Sequence, residues 1–339
     1  MFGAGCSVFV SRQVFTVYVG LTASGYDMAR LSANQAMCRL VWAIREADWP
    51  EHVPAYFGQA RTDVCTVNPY WPRAFLLTIA SLYLAESPPY PFADPHAISR
   101  HIQALDALCP ADKDDETMQW VLQLPDAYQA VCSQPYLDRL WELYQASVDP
   151  GRCKQVAEEA ESLVQERLGV TSDQLPQIVV IPNPLQAHEQ TDIVNLVGKV
   201  YVIEAEPCAA SCVHEILHHI LSPALDSCRH ITYESAGLLA PVQEDMLRLR
   251  YAWDNSRESW ARTFEEHFMR AAQIWVVHGD DPASAEHATA RQAEYGFKYV
   301  PPLVEFFQSN WRGIGNTESF IIGSLQALSA EQRSGKDGF

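Results

Sequence analysis

The sequence predicts an α+β fold, with a mainly helical N-terminal region over residues 1–170 and a C-terminal region over 171–339 that mixes short strands with helices. Three observations carry that expectation. Apolar residues recur at helical spacing through most of the first half. Two short β-branched and aromatic runs follow, at 177–185 and 198–205. Within ten residues of the second run begins an apolar helix dense in histidine. A chain of 339 residues has room for two domains, or for one large unit with an added helical lobe.

In chain order, "SVFVSRQVFTVYVG" at 7–20 is β-branched and aromatic with partial alternation, which predicts one or two strands ending at Gly20. Helical spacing then predicts helices over about 27–48 and over 73–86, "RAFLLTIASLYLAE". The stretch "SPPYPFADPHA" at 87–97 reads as a proline-rich loop. Further helices are expected at about 98–109, 115–131 and 135–148, with "VDPGR" as a break and then a helix from 154 that closes at Gly169. "QIVVIPNPL" is an apolar strand stopped by prolines, and "GKVYVIEA" a strand of alternating aromatic and β-branched residues. No repeat or low-complexity segment interrupts this order.

Composition narrows the function classes. A formal net charge of −18 repels phosphate backbones and anionic headgroups, so nucleic acid is not an expected partner. No segment approaches 18 consecutive apolar residues, so no membrane span is expected. The first 20 residues lack a basic region followed by an uninterrupted apolar one, so no signal peptide is expected there. The nine cysteines show neither a disulfide framework nor a Cys-x-x-Cys pair, which favours a reducing, cytoplasmic setting. Cys208 and Cys212, four apart, read as small buried cysteines sooner than as a thiol site.

The chemistry gathers in "SCVHEILHHIL", 211–221, which contains His-Glu-x-x-His. On a helix, His214 and His218 share one face and can turn imidazole nitrogens toward one ion. Glu215 then stands beside the open coordination position, where a carboxylate can take a proton from water acidified by the metal. Chance places this pattern in roughly two in a hundred chains of such composition, so the pattern by itself does not decide. Its setting adds weight, because Val213, Ile216, Leu217, Ile220 and Leu221 predict a buried helix, and a buried histidine pair needs a partner.

A catalytic zinc needs a third protein ligand. The compact continuation His-x-x-Gly-x-x-His is absent, since Pro223 and Ala224 follow Ser222. The helix predicted over 256–277 offers Glu258, Glu265, Glu266 and His267. Its apolar stripe is Trp260, Phe264, Phe268, Ala271 and Trp275, with Glu266 on the opposite face one turn before Arg270. The wheel leaves two readings open: a ligand glutamate, or a solvated face with Glu266 and Arg270 as an i,i+4 pair.

"HEILHH" with the downstream "EHFMRA" resembles the gluzincin group of zinc metallopeptidases, and more narrowly an uncharacterised bacterial family, a domain of unknown function, of metallopeptidase-like proteins. In that family a Glu-x-x-x-Arg-Ala helix follows the His-Glu-x-x-His helix. The match includes Glu266, Arg270 and Ala271, with weaker likeness at 53–57 and 296–307. The resemblance implies a zincin-like C-terminal catalytic domain of a small sheet, an active-site helix and a glutamate helix, with the strand at 198–205 as the sheet edge that receives an extended peptide. It implies zinc as cofactor, His214, His218 and Glu266 as ligands, Glu215 as general base, and a peptide or protein as substrate. The doubled Glu265-Glu266 leaves a register choice, taken as Glu266 from its spacing to Arg270. Tyr299 is the expected oxyanion donor, with Tyr295 and His219 as rivals. Arg270 would brace Glu266 or meet a substrate carboxylate. A catalytically silent zincin-like binding or regulatory protein is the alternative, and retention of Glu215 speaks against it.

Overall fold

The structure, a computed structural model, describes residues 5–26, 35–62, 68, 70–86, 95–105, 108–187, 190–196 and 198–336. Among them it is mostly helical with one small mixed sheet, the α+β class expected. The elements in order are β1 (Ser7–Val8), α1 (Arg12–Ala23), α2 (Gln35–Glu46), α3 (His52–Gly58), α4 (Arg73–Glu86), α5 (Pro95–Ala104), α6 (Asp115–Leu122), α7 (Leu124–Cys132) and α8 (Leu137–Ala146). Then come α9 (Pro150–Leu168), β2 (Gln177–Pro182), β3 (Thr191–Leu196) and β4 (Lys199–Glu204). The remainder is helical: α10 (Ala209–Ser227), α11 (Arg229–Glu234), α12 (Gln243–Leu249), α13 (Arg257–His278), α14 (Pro282–Tyr295), α15 (Val300–Asn310) and α16 (Thr317–Lys336).

The chain forms two compact units that are not its two contiguous halves. One combines Cys6–Lys154 with Ile178–Pro207; the other holds Gln155–Gln177 and Cys208–Phe339. The strands β2, β3 and β4 thus belong with the N-terminal helices, where Ile181, Val194, Tyr201 and Ile203 share a core with Phe15, Tyr18, Leu21 and Leu77. The expected sequence of strands and motif helix exists, but the sheet is not part of the unit that carries the motif.

The strands expected over 7–20 shrink to β1, and most of that stretch is α1. Ser11 caps this helix, accepting a hydrogen bond from the Val14 amide at 3.2 Å. Every residue from Val14 to Thr22 is buried. A helix apolar on all sides carries no amphipathic period, so its β-branched content mimics a strand. Gly20 admits the ring of Phe57 where a Cβ would stand 2.2 Å from a ring carbon.

The sheet order is β1-β2-β4-β3, with β1 parallel to β2 and β3 antiparallel to β4. The strand at 198–205, expected at the edge, is internal, and β3 occupies the edge beside it. Pattern reading passes over β3 because one of its inward positions is a carboxylate. Asp192 is 2% exposed and accepts hydrogen bonds from Tyr18 (2.8 Å) and Thr78 (2.9 Å). Such pairing offsets the cost of burying an acid and ties β3 to α1 and α4. The helix expected over 27–48 is described only from Gln35, and residues 87–94 of the proline-rich stretch lie outside the described residues.

In the second unit α13 is the central helix, packed by α10, α11, α14 and α15. Trp260, Phe264 and Phe268 are buried, and Phe268 meets Phe307 and Phe320. Trp275 stacks on Phe307 with ring centroids 5.5 Å apart. Pro223 lies inside α10 without ending it. Cys212 is buried, whereas Cys208 is the exposed cap of α10. No described helix is long and apolar enough to cross a membrane.

Candidate metal centre

Two helices of the second unit build the site. Ser256 caps α13 through the Ser259 amide, and the Gln273 side chain donates to the Ala210 carbonyl at 2.9 Å, fixing α13 against the start of α10. This packing turns the Glu266 face of α13 away from water and onto the histidine face of α10. Glu266 is 2% exposed, so the solvated-face reading fails for it.

His214, His218 and Glu266 form a group whose ligand atoms all lie within 4.8 Å of one another. The two Nε2 atoms are 3.2 Å apart, and Glu266 places Oε1 3.7 Å from that of His214 and Oε2 3.8 Å from that of His218. A tetrahedral ion with bonds of about 2.05 Å sets its donors about 3.3 Å apart, so the three side chains could hold one ion after adjustment. Two imidazoles and a carboxylate suit zinc and also other first-row divalent ions. Glu215 is buried beside them, with a carboxylate oxygen 3.9 Å from His214 Nε2.

Glu265 takes a different place from Glu266. Its Oε1 accepts from His218 Nδ1 at 3.2 Å and from the Ser222 hydroxyl at 2.7 Å. A proton held at Nδ1 leaves Nε2 of His218 as the face turned to the cluster, which is how a carboxylate orients a ligand histidine. His214 has no such guide among the described residues, where its buried Nδ1 has no hydrogen-bond partner. Arg270 lies 2.7 Å from Glu266 Oε1 and donates to the Tyr251 hydroxyl at 3.2 Å and to Gln292 at 3.2 Å. Its guanidinium also sits 4.0 Å from the Phe297 ring centroid.

The electrostatics suit a cation. Burial lowers His214 to about 3, holding that imidazole neutral. Burial also opposes charge on His218, but hydrogen bonds to Glu265 and Glu266 push it up to about 10. The Glu265 and Glu266 carboxylates therefore draw a proton onto one imidazole, a place that a divalent ion could fill instead. Burial pushes the Glu215 carboxyl up to about 8. Burial also resists ionisation of Glu265 and Glu266, yet His218 and Arg262 hold Glu265 at about 2, and Arg270 holds Glu266 well below the ordinary carboxylate value.

Of the residues singled out from sequence, His214, Glu215, His218 and Glu266 come together, with Glu265 behind His218 and Arg270 behind Glu266. Tyr299 does not join them. Its hydroxyl donates to the Leu238 carbonyl at 2.6 Å, and its ring lies against Trp260 and His267. Tyr295, His219 and Glu258 are exposed, and buried His267 donates through Nδ1 to the Thr263 carbonyl at 2.7 Å. Sequence reasoning missed Tyr251. It follows the left-handed Arg250 that ends α12, and its carbonyl accepts from Thr263 of α13 at 3.2 Å. No motif marks it, because only helix packing brings it to Arg270.

No protein-family model, no curated protein and no solved structure matches the chain.

Proposed function

We propose that the protein hydrolyses peptide bonds with one zinc ion held by His214, His218 and Glu266, as the gluzincin likeness of the two helices suggests. One observation carries this reading: the three donors converge at ion-binding distances with a buried carboxylate, Glu215, at their side. When bound, the ion supplies Lewis acidity, polarising a carbonyl and acidifying water. Glu215 is placed to receive the proton and to return it to the leaving amine, and a buried carboxyl held up near neutrality suits both duties. Glu265 fixes His218, and Arg270 keeps Glu266 ionised and in place. Tyr251, and not Tyr299, is the tyrosine tied to the arginine that pairs with the ligand carboxylate.

Elemental analysis of purified wild type, Glu266→Ala and Glu265→Ala, followed by a peptide-library assay of wild type and Glu215→Gln, tests the reading. About one zinc per chain in wild type, its loss in Glu266→Ala, and turnover that Glu215→Gln abolishes are expected. Zinc without turnover would reduce the protein to a silent metal-binding relative. No metal after zinc is supplied would remove the hydrolase reading.

A further inference from the structure

The line Arg262, Glu266, Arg270 runs along one face of α13 at spacing i, i+4, i+8, yet the two arginines are used differently. Arg270 is engaged through both terminal nitrogens, with a 2.7 Å ion pair to Glu266 and hydrogen bonds to Tyr251 and Gln292, although its buried Nε, like that of Arg262, has no hydrogen-bond partner among the described residues. Among the described residues Arg262 has a long 3.8 Å pairing with Glu265 and a place 5.8 Å from the Tyr251 ring centroid. Its Nε is buried without a hydrogen-bond partner. A guanidinium carries five donors in a fixed fork, and leaving a buried one unused is costly. Electrostatically it acts on Glu215, Glu266 and His214, so its charge reaches the residues around the ion position.

Charge balance points the same way. Around the site the ionised carboxylates of Glu265 and Glu266 stand against two guanidinium groups, with Glu215 a third carboxyl beside them, so a divalent ion would turn the centre positive inside a chain of net charge −18. The Arg262 side chain keeps 21% of its surface open, and His218 keeps 20%. Both side chains are thus partly open to solvent.

We propose that Arg262 binds a carboxylate of the substrate, so that the preferred substrates are peptides with a free carboxylate close to the bond that is cut. That carboxylate is either the C-terminus or an acidic side chain, since the fork recognises the same two oxygens in both. The cleavage part of this inference rests on the hydrolase reading; the anion-binding part does not.

The test is binding of four N-acetylated pentapeptides, with C-terminal acid or amide and with Glu or Gln at the fourth position, to zinc-supplied Glu215→Gln protein by calorimetry. The same titrations follow with Arg262→Met or Arg262→Lys added. The proposal expects one carboxylate form to bind about tenfold or more tightly than its neutral counterpart, with the advantage abolished by methionine and partly kept by lysine. Which pair of peptides differs identifies the source of the carboxylate. Zinc content is measured on each variant to show that the site is intact, and lysine serves if the methionine variant does not fold. Equal binding of acid and neutral forms, or a preference that survives Arg262→Met, overturns the proposal. Turnover by wild type is scored separately: an Arg262-dependent preference without cleavage keeps the anion site and ends the hydrolase reading, whereas cleavage without preference does the reverse.

Discussion

Replacing Glu265 by alanine separates the two adjacent glutamates of α13. In the structure Glu265 touches the ion position only through His218, accepting from Nδ1 at 3.2 Å. Without it, His218 keeps its place on α10 but loses what fixes its tautomer and ring angle. Loss of such an orienting partner weakens metal affinity by about 10–100-fold, or about 1.4–2.7 kcal/mol. Glu266→Ala differs in kind, because it deletes a donor and leaves the Arg270 guanidinium, now 2.7 Å from that carboxylate, as an unpaired buried charge. Breaking a buried pair lowers folding stability by about 3–5 kcal/mol, and removing one of three ligands is expected to weaken zinc binding beyond the range of Glu265→Ala. Competitive zinc titration against a chromophoric chelator, with circular dichroism to verify folding, reads both values. Equal losses in the two variants, or wild-type affinity in Glu265→Ala, would refute the division of roles.

Other expectations concern residues outside the ion position. Tyr299→Phe removes the donor to the Leu238 carbonyl and is expected to lower stability by about 1–2 kcal/mol while leaving zinc content unchanged; thermal unfolding and elemental analysis decide, and lost zinc would return Tyr299 to the site. Gly20→Ala thrusts a Cβ into the Phe57 ring and should cost about 1–3 kcal/mol in urea unfolding, an unchanged midpoint being the contrary result. Burial raises Asp192 above the ordinary carboxylate value despite hydrogen bonds from Tyr18, Gln186 and Thr78. A folded-state value above the unfolded one means its stabilising contribution is complete below about pH 3.9 and is lost as pH rises through the folded value. Wild type should therefore lose ground to Asp192→Asn as pH increases from about 4 to 7, and a difference that grows in the other direction would overturn the assignment.

The two helices of the candidate site were legible because their information is local. His-Glu-x-x-His fixes spacing on one face, and 256–277 differs from the observed α13 by a residue at each end. What α13 meets was not legible, since the wheel places Glu266 opposite the aromatic stripe but cannot say that α10 covers that side. Tyr251 and the two-sided use of Glu265 and Glu266 depend on that packing. The stretch at 7–20 misled for a different reason: residues buried on every side choose helix or strand by tertiary fit, and β-branched composition then speaks for the wrong one. The edge strand β3 was hidden by Asp192, a charge at a core position that makes sense only beside Tyr18 and Thr78.

The interleaved division of the chain bears on how it is synthesised and folded. Residues 6–154 emerge first, but their unit lacks three of its four strands until residue 207 has been made. By then 155–177, which belong to the other unit, have already left the ribosome and must wait for α10 and α13. Neither unit can finish as a simple N-to-C event, and pairing such distant segments slows folding. Cutting the gene at residue 170 would strand α9 apart from its unit and leave β2, β3 and β4 without the helices whose core they share. Excision of the unit that carries the candidate site therefore has to follow the fold, joining 155–177 to 208 onward by a short linker in place of the three strands.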